Sequence, residues 1–379
     1  MEHEDVIALT QRLIDRVNTN TSDEAGETMT VPNSVFLDDA LWQREREALF
    51  FSTPQTIGFA GEVAKPGSFM TTESMGIPIV VTRDEAGVLH AFINACAHRG
   101  SRVADGCGER RRLNCRFHGW SYALDGRLAG RPRDDAFEPA NDNLNLIELP
   151  VSDCSGLIVV GLRPTMSQSV VHHALDDIAP AFAGYALDKV RPVETRRYDV
   201  RANWKMVVNL SHESYHFATL HRDSLSPLMT AHAVTDEFGD HTRWAFPLRE
   251  IADFENIDRS QWPSRPPATM NHTIYPGTVV VINPNDAQML RVEPGRDPGS
   301  SVVYYSGVCN DLHPIEEARR AYEFGGDIFN DEDLLAAEQC QQGVAACAQG
   351  TTILGRNEPM VQFWHRKWRQ ATQPALDKQ

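Results

Sequence analysis

The spacing of apolar and polar residues divides the chain into three stretches. Residues up to about 45 combine a helical period over 6–17 with a polar linker rich in Thr, Asn and Ser. Between about 51 and 164, short apolar runs alternate with turn residues, a pattern typical of small antiparallel β-domains. The candidate strands of this second stretch are residues 55–59, 77–81, 88–93, 112–122 and 157–160.

After about residue 165, helical and strand-like patterns are mixed. Residues 278–282 and 301–305 predict buried strands, and residues 315–324 predict a helix. The segment 203–216 contains neither Pro nor Gly, so it predicts one continuous helix.

The expected fold class is α+β with two domains, because 379 residues exceed one typical domain. We expect a small antiparallel β domain at residues 46–165. A larger domain, with an antiparallel sheet covered by helices, should span residues 166–379. The helical segment and linker at residues 1–45 should pack on the larger domain.

Composition narrows the class of protein. A formal net charge of −16 at pH 7 argues against nucleic acid and anionic membranes as partners. No apolar run approaches the about 18 residues that a membrane span needs. The acidic start of the chain is unlike a secretory signal, so a cytoplasmic location is expected. Seven cysteines, an odd number in a long chain, do not form a disulfide framework.

Two short motifs each pair one cysteine with one histidine: Cys96-Ala97-His98 and Cys115-Arg116-Phe117-His118. This is the ligand set that places two Cys on one iron of a 2Fe–2S cluster and two His on the other. Structural zinc also accepts mixed Cys and His ligands. Zinc modules, however, usually begin with two cysteines separated by two to four residues, so the spacing favours the iron–sulfur cluster.

A second group of polar residues lies in the predicted helix 203–216. Asn209, Glu213 and His216 recur at spacings i, i+4 and i+7, so they share one stripe of an otherwise apolar helix. Buried polar groups need partners or a metal. His216 and His221 are roughly 140° apart on an ideal helix, so one ion can bind both only if the helix distorts or ends between them.

The same segment contains an alternative zinc motif. His212-Glu213-Ser214-Tyr215-His216 matches H-E-x-x-H, in which Glu is the general base of a metalloprotease. The extended motif needs a Gly where Thr219 stands, and its third His would follow one residue after His221. A protease also has no use for a redox cluster, so this hypothesis is the remote one.

The order of these motifs, with Asn203-Trp204-Lys205 between them, resembles the α subunits of Rieske non-heme iron, ring-hydroxylating oxygenases. The resemblance covers nearly the whole chain and implies a Rieske domain at 46–165 and a catalytic domain at 166–379. It implies the following roles: Cys96 and Cys115 on one cluster iron, His98 and His118 on the other, His216 and His221 on a mononuclear iron, and Glu213 coupling the two centres.

The family also requires a distant carboxylate. Residues 332–343 are similar to its E-D-x4-E-x2-Q-x-G helix, which makes Asp333 the third iron ligand. From the residues alone, Asp331, Glu332 and Asp333 are equally well explained as first-turn acids that favour the helix dipole. Only the resemblance selects Asp333.

Two histidines and one carboxylate leave iron(II) positions for O2 and substrate. The resemblance therefore implies a terminal oxygenase that uses O2 and electrons from NAD(P)H to hydroxylate a small organic substrate, with an aromatic compound as the first expectation. The alternative is a monooxygenase acting on a quaternary amine or by N- or O-demethylation, because Glu at position 213 also occurs in such relatives. An electron carrier would need only the first domain.

No Gly-rich dinucleotide motif and no ferredoxin-type Cys cluster is present in the sequence. The chain should thus depend on an external flavin reductase, with or without a ferredoxin. The resemblance implies a homotrimer, with or without a small β subunit, in which Glu213 couples centres of neighbouring subunits. Candidate substrate-pocket residues are Tyr215, Phe217, Leu220, Phe246 and Val281.

Overall fold

The computed structural model describes residues 3–137, 143–263, 265–310, 312–346 and 350–372. The chain forms two compact units. The small unit comprises Phe50–Asp176 and Ala186–Arg191, and the large unit comprises Met1–Leu49, Asp177–Tyr185 and Pro192–Gln379.

The α-helices and strands of the described residues are as follows. The helices are α1 (His3–Thr19), α2 (Asp39–Glu45), α3 (Gln168–His172), α4 (Ala179–Phe182), α5 (Trp204–Leu210), α6 (Ile315–Ile328), α7 (Leu334–Ala345) and α8 (Pro359–Thr372). The strands are β1 (Met29–Pro32), β2 (Gln55–Phe59), β3 (Ser68–Ser74), β4 (Ile77–Arg83), β5 (Leu89–Ile93), β6 (Cys107–Glu109), β7 (Leu113–Asn114), β8 (Ser121–Tyr122), β9 (Leu128–Gly130), β10 (Glu148–Leu149), β11 (Val151–Cys154), β12 (Leu157–Val160), β13 (Arg191–Val200), β14 (Val234–Phe238), β15 (His241–Pro247), β16 (Ala268–Ile274), β17 (Thr278–Ile282), β18 (Asp286–Pro294), β19 (Ser301–Cys309) and β20 (Thr351–Leu354).

The small unit is built from antiparallel strands, as predicted. One sheet has the order β10-β5-β4-β3-β6, and two three-stranded sheets have the orders β11-β12-β2 and β7-β8-β9. The predicted strand at 112–122 is wrong as a single element, because β7 and β8 are two short strands joined by a loop. Cys96, Cys115 and Trp120 belong to the buried core beside that loop.

Two segments beyond the predicted limit of the small domain belong to the small unit, residues 166–176 and 186–191. Helix α3 explains the first, because it packs on β11 and β12. The Ser152 hydroxyl also lies 3.0 Å from Nδ1 of His172. The compact units therefore divide the chain differently from the predicted boundaries at residues 46–49, 166–176 and 186–191.

The large unit contains a seven-stranded antiparallel sheet of order β13-β19-β18-β17-β16-β15-β14. The predicted strands at 278–282 and 301–305 and the predicted helix at 315–324 are confirmed. The register places Trp244 opposite Asn271, Asn271 opposite Val281, and Val281 opposite Gln288. Because side chains alternate along strands, these four residues share one face of the sheet.

Helix α1 packs on β14 and β15 of the large unit. It buries one stripe, which includes Val6, Leu9 and Leu13. On its polar side, Arg12 Nη1 lies 2.7 Å from Asp236 Oδ1. The amphipathic pattern of residues 6–17 thus produces a helix that covers one edge of the sheet.

Predicted helix 203–216 is wrong in its length. Helix α5 ends at Leu210, and turns follow through residue 228. The next carbonyl, that of Ser211, accepts a hydrogen bond from Asn271 Nδ2 at 3.1 Å. The Glu213 carboxylate accepts from the backbone N–H groups of Tyr215 and His216. These contacts replace the helical hydrogen bonds, so tertiary and side-chain partners override the local helical pattern.

No helix among the described residues combines the length and the apolar character needed to cross a membrane.

Candidate functional site

His216, His221 and Asp333 converge at one point in the large unit. The Nε2 atoms of the two histidines lie 3.6 Å and 3.2 Å from Asp333 Oδ1. One possible ligand atom from each residue lies within 4.8 Å of the others. This set of two imidazoles and one carboxylate suits iron(II) with open positions. We call these three residues the metal triad.

Each histidine of the metal triad has a second carboxylate behind it. Nδ1 of His216 contacts Glu213 Oε1, and Nδ1 of His221 lies 2.6 Å from Glu332 Oε2. A carboxylate on Nδ1 fixes the tautomer and ring orientation and leaves Nε2 for the metal. Burial lowers the pKa of His221, but Asp333 and Glu332 outweigh it and raise that pKa.

Asp333 and Glu332 lie in a π-helical turn, Phe329–Asp333, between α6 and α7. The alternative that these acids occupy the first turn of a helix is wrong, because the helical backbone continues through them. Single π-turns widen a helix and often occur at functional sites. Asp331 is exposed and accepts a hydrogen bond from Asn330 Nδ2 at 2.6 Å.

His212 does not form the zinc pair with His216. Its side chain is 1% exposed. Nδ1 donates to the Val208 carbonyl at 2.8 Å, and Nε2 accepts from the Thr273 hydroxyl at 2.8 Å. Burial lowers the pKa of His212 to about 4. Both ring nitrogens therefore have protein partners, and the H-E-x-x-H match is a coincidence of sequence.

A cavity of about 360 Å³ opens beside the metal triad. Phe217, Phe246 and Val281, named from the sequence as pocket candidates, line it. Tyr215 and Leu220 do not, because the turns after α5 leave Tyr215 73% exposed and Leu220 half-buried. Sequence reasoning missed further lining residues, among them Trp244, Asn271, Asp286, Gln288, Leu290, Tyr305 and Phe324.

Three aromatic side chains form one wall of this cavity. Ring centroids of Trp244 and Phe246 are 4.7 Å apart, and those of Phe217 and Phe246 are 5.3 Å apart. Phe217 also lies edge-on to His221, with 5.5 Å between ring centroids. This aromatic wall thus adjoins the metal triad directly. Trp244 and Phe246 are two residues apart on β15, so their side chains share one face of the strand.

In the small unit, two tight loops bring the four predicted cluster residues together. Gly100 N–H donates to the Cys96 carbonyl, and Gly119 N–H donates to the Cys115 carbonyl. Both glycines have φ of 75°, a conformation that other residues adopt only with strain. The rings of His98 and His118 follow within the loops, with centroids 4.6 Å apart.

The donor atoms in these loops fit an iron–sulfur cluster. Nδ1 of His118 is buried and has no hydrogen-bond partner among the described residues, as expected of an atom that binds a metal. The Cys96 thiol lies 3.2 Å from the Tyr122 hydroxyl. Burial would raise the pKa of the Cys115 thiol, but backbone N–H groups of Phe117 and His118 help to lower it. The loops therefore favour a thiolate at Cys115.

Family comparisons agree with this geometry. Residues 53–148 match the Rieske 2Fe–2S domain, and residues 187–373 match the ring hydroxylating alpha subunit (catalytic domain). The first match removes the structural zinc hypothesis for Cys96 and Cys115. The second shows that the chain is more than an electron carrier.

The chain is also similar to characterised proteins. It is 24% identical over 330 residues to the carnitine monooxygenase oxygenase subunit of Escherichia coli K12, covering 84% of this chain and 85% of that one. A quaternary ammonium Rieske monooxygenase bound to L-carnitine superposes with a TM-score of 0.77 and 21% identity, covering 91% and 96% of the two chains. Naphthalene 1,2-dioxygenase from Rhodococcus sp. superposes with a TM-score of 0.72 and 17% identity, covering 98% of this chain and 99% of that one.

The two family matches fall on the two units that carry these sites. The Rieske match includes all four residues of the cluster loops, and the catalytic match includes the whole metal triad. The predicted family, fold class and cofactors are thereby confirmed. This chain belongs to the Rieske non-heme iron oxygenases, as an α subunit that carries one Rieske 2Fe–2S cluster and one mononuclear iron.

Proposed function

We propose that this oxygenase hydroxylates a quaternary ammonium compound. The first expectation, an aromatic substrate, has weaker support than the alternative stated with it. The relative from Escherichia coli K12 is a carnitine monooxygenase subunit, and the chain spans most of its length. The likeness to naphthalene 1,2-dioxygenase, at 17% identity, shows a shared fold alone. Catabolism of aromatic hydrocarbons is therefore not proposed.

The aromatic wall beside the metal triad is the observation that carries this proposal. Trp244, Phe246 and Phe217 line the cavity, and Phe217 contacts the ring of His221. The negative π-face of an aromatic ring attracts a quaternary ammonium group, with Trp the most favourable. Such a wall holds the cation by its methyl groups and keeps water away from the neighbouring metal triad.

His216, His221 and Asp333 are the proposed iron ligands, and the bound iron supplies reduction of O2 with electrons from the Rieske cluster. Glu213 and Glu332 orient the two imidazoles, so that both Nε2 atoms face the metal. Phe217 and the apolar lining residues hold the substrate beside this point. Cys96, His98, Cys115 and His118 are the proposed cluster ligands.

Glu213 is the proposed coupling residue between the two centres. Its carboxylate contacts Nδ1 of His216 and also borders a second cavity of about 430 Å³, together with Asn209 and Glu358. A histidine of a neighbouring subunit's cluster could reach the carboxylate from that side. We accordingly propose a homotrimer, with an external flavin reductase and, where needed, a ferredoxin as the source of electrons.

Product analysis tests the substrate class. The holoenzyme would be supplied with NADH, a generic reductase and one compound at a time from choline, glycine betaine, L-carnitine, naphthalene and benzoate. We expect substrate-dependent NADH oxidation and an oxidised product only with quaternary ammonium compounds. Turnover of an aromatic compound, with no product from any amine, would contradict the proposal. The Asp333→Ala variant controls for NADH oxidation that does not involve the metal triad.

A further inference from the structure

One carboxylate in the cavity does not belong to the metal triad. Asp286 is the first residue of β18 and lines the same cavity as His216 and His221. Its side chain comes from the hairpin between β17 and β18, whereas the metal triad comes from the turns after α5 and from the π-helical turn. The cavity thus has a second acidic group on a different element.

Side-chain amides hold the Asp286 carboxylate in place. Asn283 Nδ2 donates to Oδ1 at 2.9 Å, and Gln288 Nε2 donates to the same oxygen at 3.3 Å. Gln288 is itself fixed, because its Oε1 accepts from the Tyr305 hydroxyl at 2.6 Å. Both hydrogen bonds from described side chains therefore end at Oδ1, which leaves Oδ2 for a ligand.

Among the described residues, no cation forms an ion pair with this carboxylate. The guanidinium of Arg265 donates to the carbonyls of Asn283 and Pro284 at 3.3 Å and 3.0 Å, and to that of Tyr185 at 3.3 Å. Burial raises the pKa of Asp286 above its ordinary value, and the hydrogen bonds together with the charges of His313 and Arg265 offset this only in part. A half-buried carboxylate facing an apolar cavity gains most from a cationic ligand.

Apart from the metal position, the side chains of the cavity wall supply no counter-charge for an anion. Among the described residues that line the cavity, none is Lys or Arg. A carboxylate on the substrate would face Asp286 across a cavity at the lower end of the range of about 300–1,000 Å³ for small-molecule sites. Like charges at close range in a poorly hydrated space repel strongly.

We propose that Asp286 binds the positively charged nitrogen of the substrate, and that the substrate is a quaternary ammonium compound without a carboxylate. This inference rests on the proposed function and narrows it. It assigns a specificity-determining residue and excludes carnitine and betaine as preferred substrates. Asn283 and Gln288 are positioning residues that hold the carboxylate.

Binding to an uncharged isostere tests the role of Asp286. Dissociation constants of choline and of 3,3-dimethyl-1-butanol, which replaces the nitrogen by carbon, would be measured by calorimetry on anaerobic holoenzyme. The wild-type protein should prefer choline by about tenfold or more, since a partly desolvated charge pair contributes at least this much. The Asp286→Asn variant should lose most of this preference and retain only the part that the aromatic wall supplies. Asp253→Asn, an exposed acid outside the cavity, should behave as wild type.

Each other outcome has a defined meaning. If Asp286→Asn keeps the full wild-type preference for choline, the role of Asp286 is wrong, while the proposed function stands. If carnitine or betaine binds wild type as tightly as choline, the exclusion of carboxylates is wrong. Equal binding of choline and its isostere to wild type overturns the inference even when Asp286→Asn fails to fold. If only aromatic compounds bind, the proposed function itself fails.

Discussion

Nδ1 of His221 lies 2.6 Å from Oε2 of Glu332, the residue next to the proposed ligand Asp333. The same Glu332 oxygen accepts a hydrogen bond from the Ser224 hydroxyl at 2.9 Å. The imidazole is therefore held from behind, and its Nε2 faces the metal position. Two adjacent acids on one π-helical turn thus have different roles, one as a proposed ligand and one as the support of a ligand.

The Glu332→Gln variant tests this support. Gln keeps the size of the side chain but removes the charge that orients His221. We expect affinity for the mononuclear iron to fall by about 10–100-fold, the range for partners of metal-bound histidines, with an unchanged cluster spectrum. Iron would be measured by competition with a chelator. Asp331→Asn is the matched control, and an equal loss of iron there would contradict the assignment.

Glu213→Gln tests coupling between the two centres. With iron in excess both metals should stay bound, because the side-chain amide retains a hydrogen-bond acceptor for His216, although iron affinity should fall as in Glu332→Gln. Electron delivery should slow by about tenfold or more, since the charge that links the centres is lost. The reduced cluster would then persist when O2 and substrate are added, as followed by stopped-flow absorption. Glu358→Gln changes a carboxylate bordering the same second cavity, and an effect of equal size would point to general electrostatics instead.

Cys115→Ala tests the cluster ligands. Removal of one thiolate should abolish the visible absorption of the Rieske cluster and all turnover with NADH and reductase. The control is Cys107→Ala, because Cys107 is exposed on β6 of the same unit. A normal Rieske spectrum in Cys115→Ala would show that another residue binds the cluster.

His272 should make stability fall at acidic pH. It is fully buried on β16, neither ring nitrogen has a hydrogen-bond partner among the described residues, and burial lowers its pKa to about 3. The unfolded chain takes up a proton below about pH 6.5, while the folded chain does not. Between about pH 7.5 and about pH 5, this single residue should lower the free energy of unfolding by about 2 kcal/mol.

The matched measurement uses urea denaturation followed by tryptophan fluorescence. His272→Leu should remove that part of the acid destabilisation, because Leu does not titrate and packs against Phe182. The exposed His173 serves as control, and His173→Leu should retain the wild-type pH dependence. If the free energy of unfolding falls with pH equally in His272→Leu and in wild type, the assignment to His272 is wrong.

Much of the fold followed from local pattern. Runs such as residues 278–282 are strands because β-branched side chains suit a buried sheet, and that preference is visible in sequence. The end of α5 at Leu210 was not visible, because it depends on Asn271, which is distant in the chain. Pro and Gly, the usual signals of a helix end, are missing there.

In the candidate site, too, some residues could be predicted from local sequence and others depend on contacts distant in the chain. Cys and His spacing marked the cluster loops, since the chemistry requires those residues close together in sequence. The sequence did not distinguish the role of Glu332 from that of Asp331, because that distinction requires knowing that the helical backbone continues through both. Asp286 carried no motif at all, since its position in the cavity depends on the hairpin between β17 and β18 and on the register of the sheet.

A single-turnover reaction tests the central claim most directly. Holoenzyme with a chemically reduced cluster would be mixed with O2 and choline, without reductase, and the product would be quantified by mass spectrometry. We predict up to one oxidised product per chain in wild type and none in Asp333→Ala, whose cluster is equally reduced. If wild type forms no product from choline or any other quaternary ammonium compound, yet oxidises naphthalene or benzoate under the same conditions, the account is contradicted.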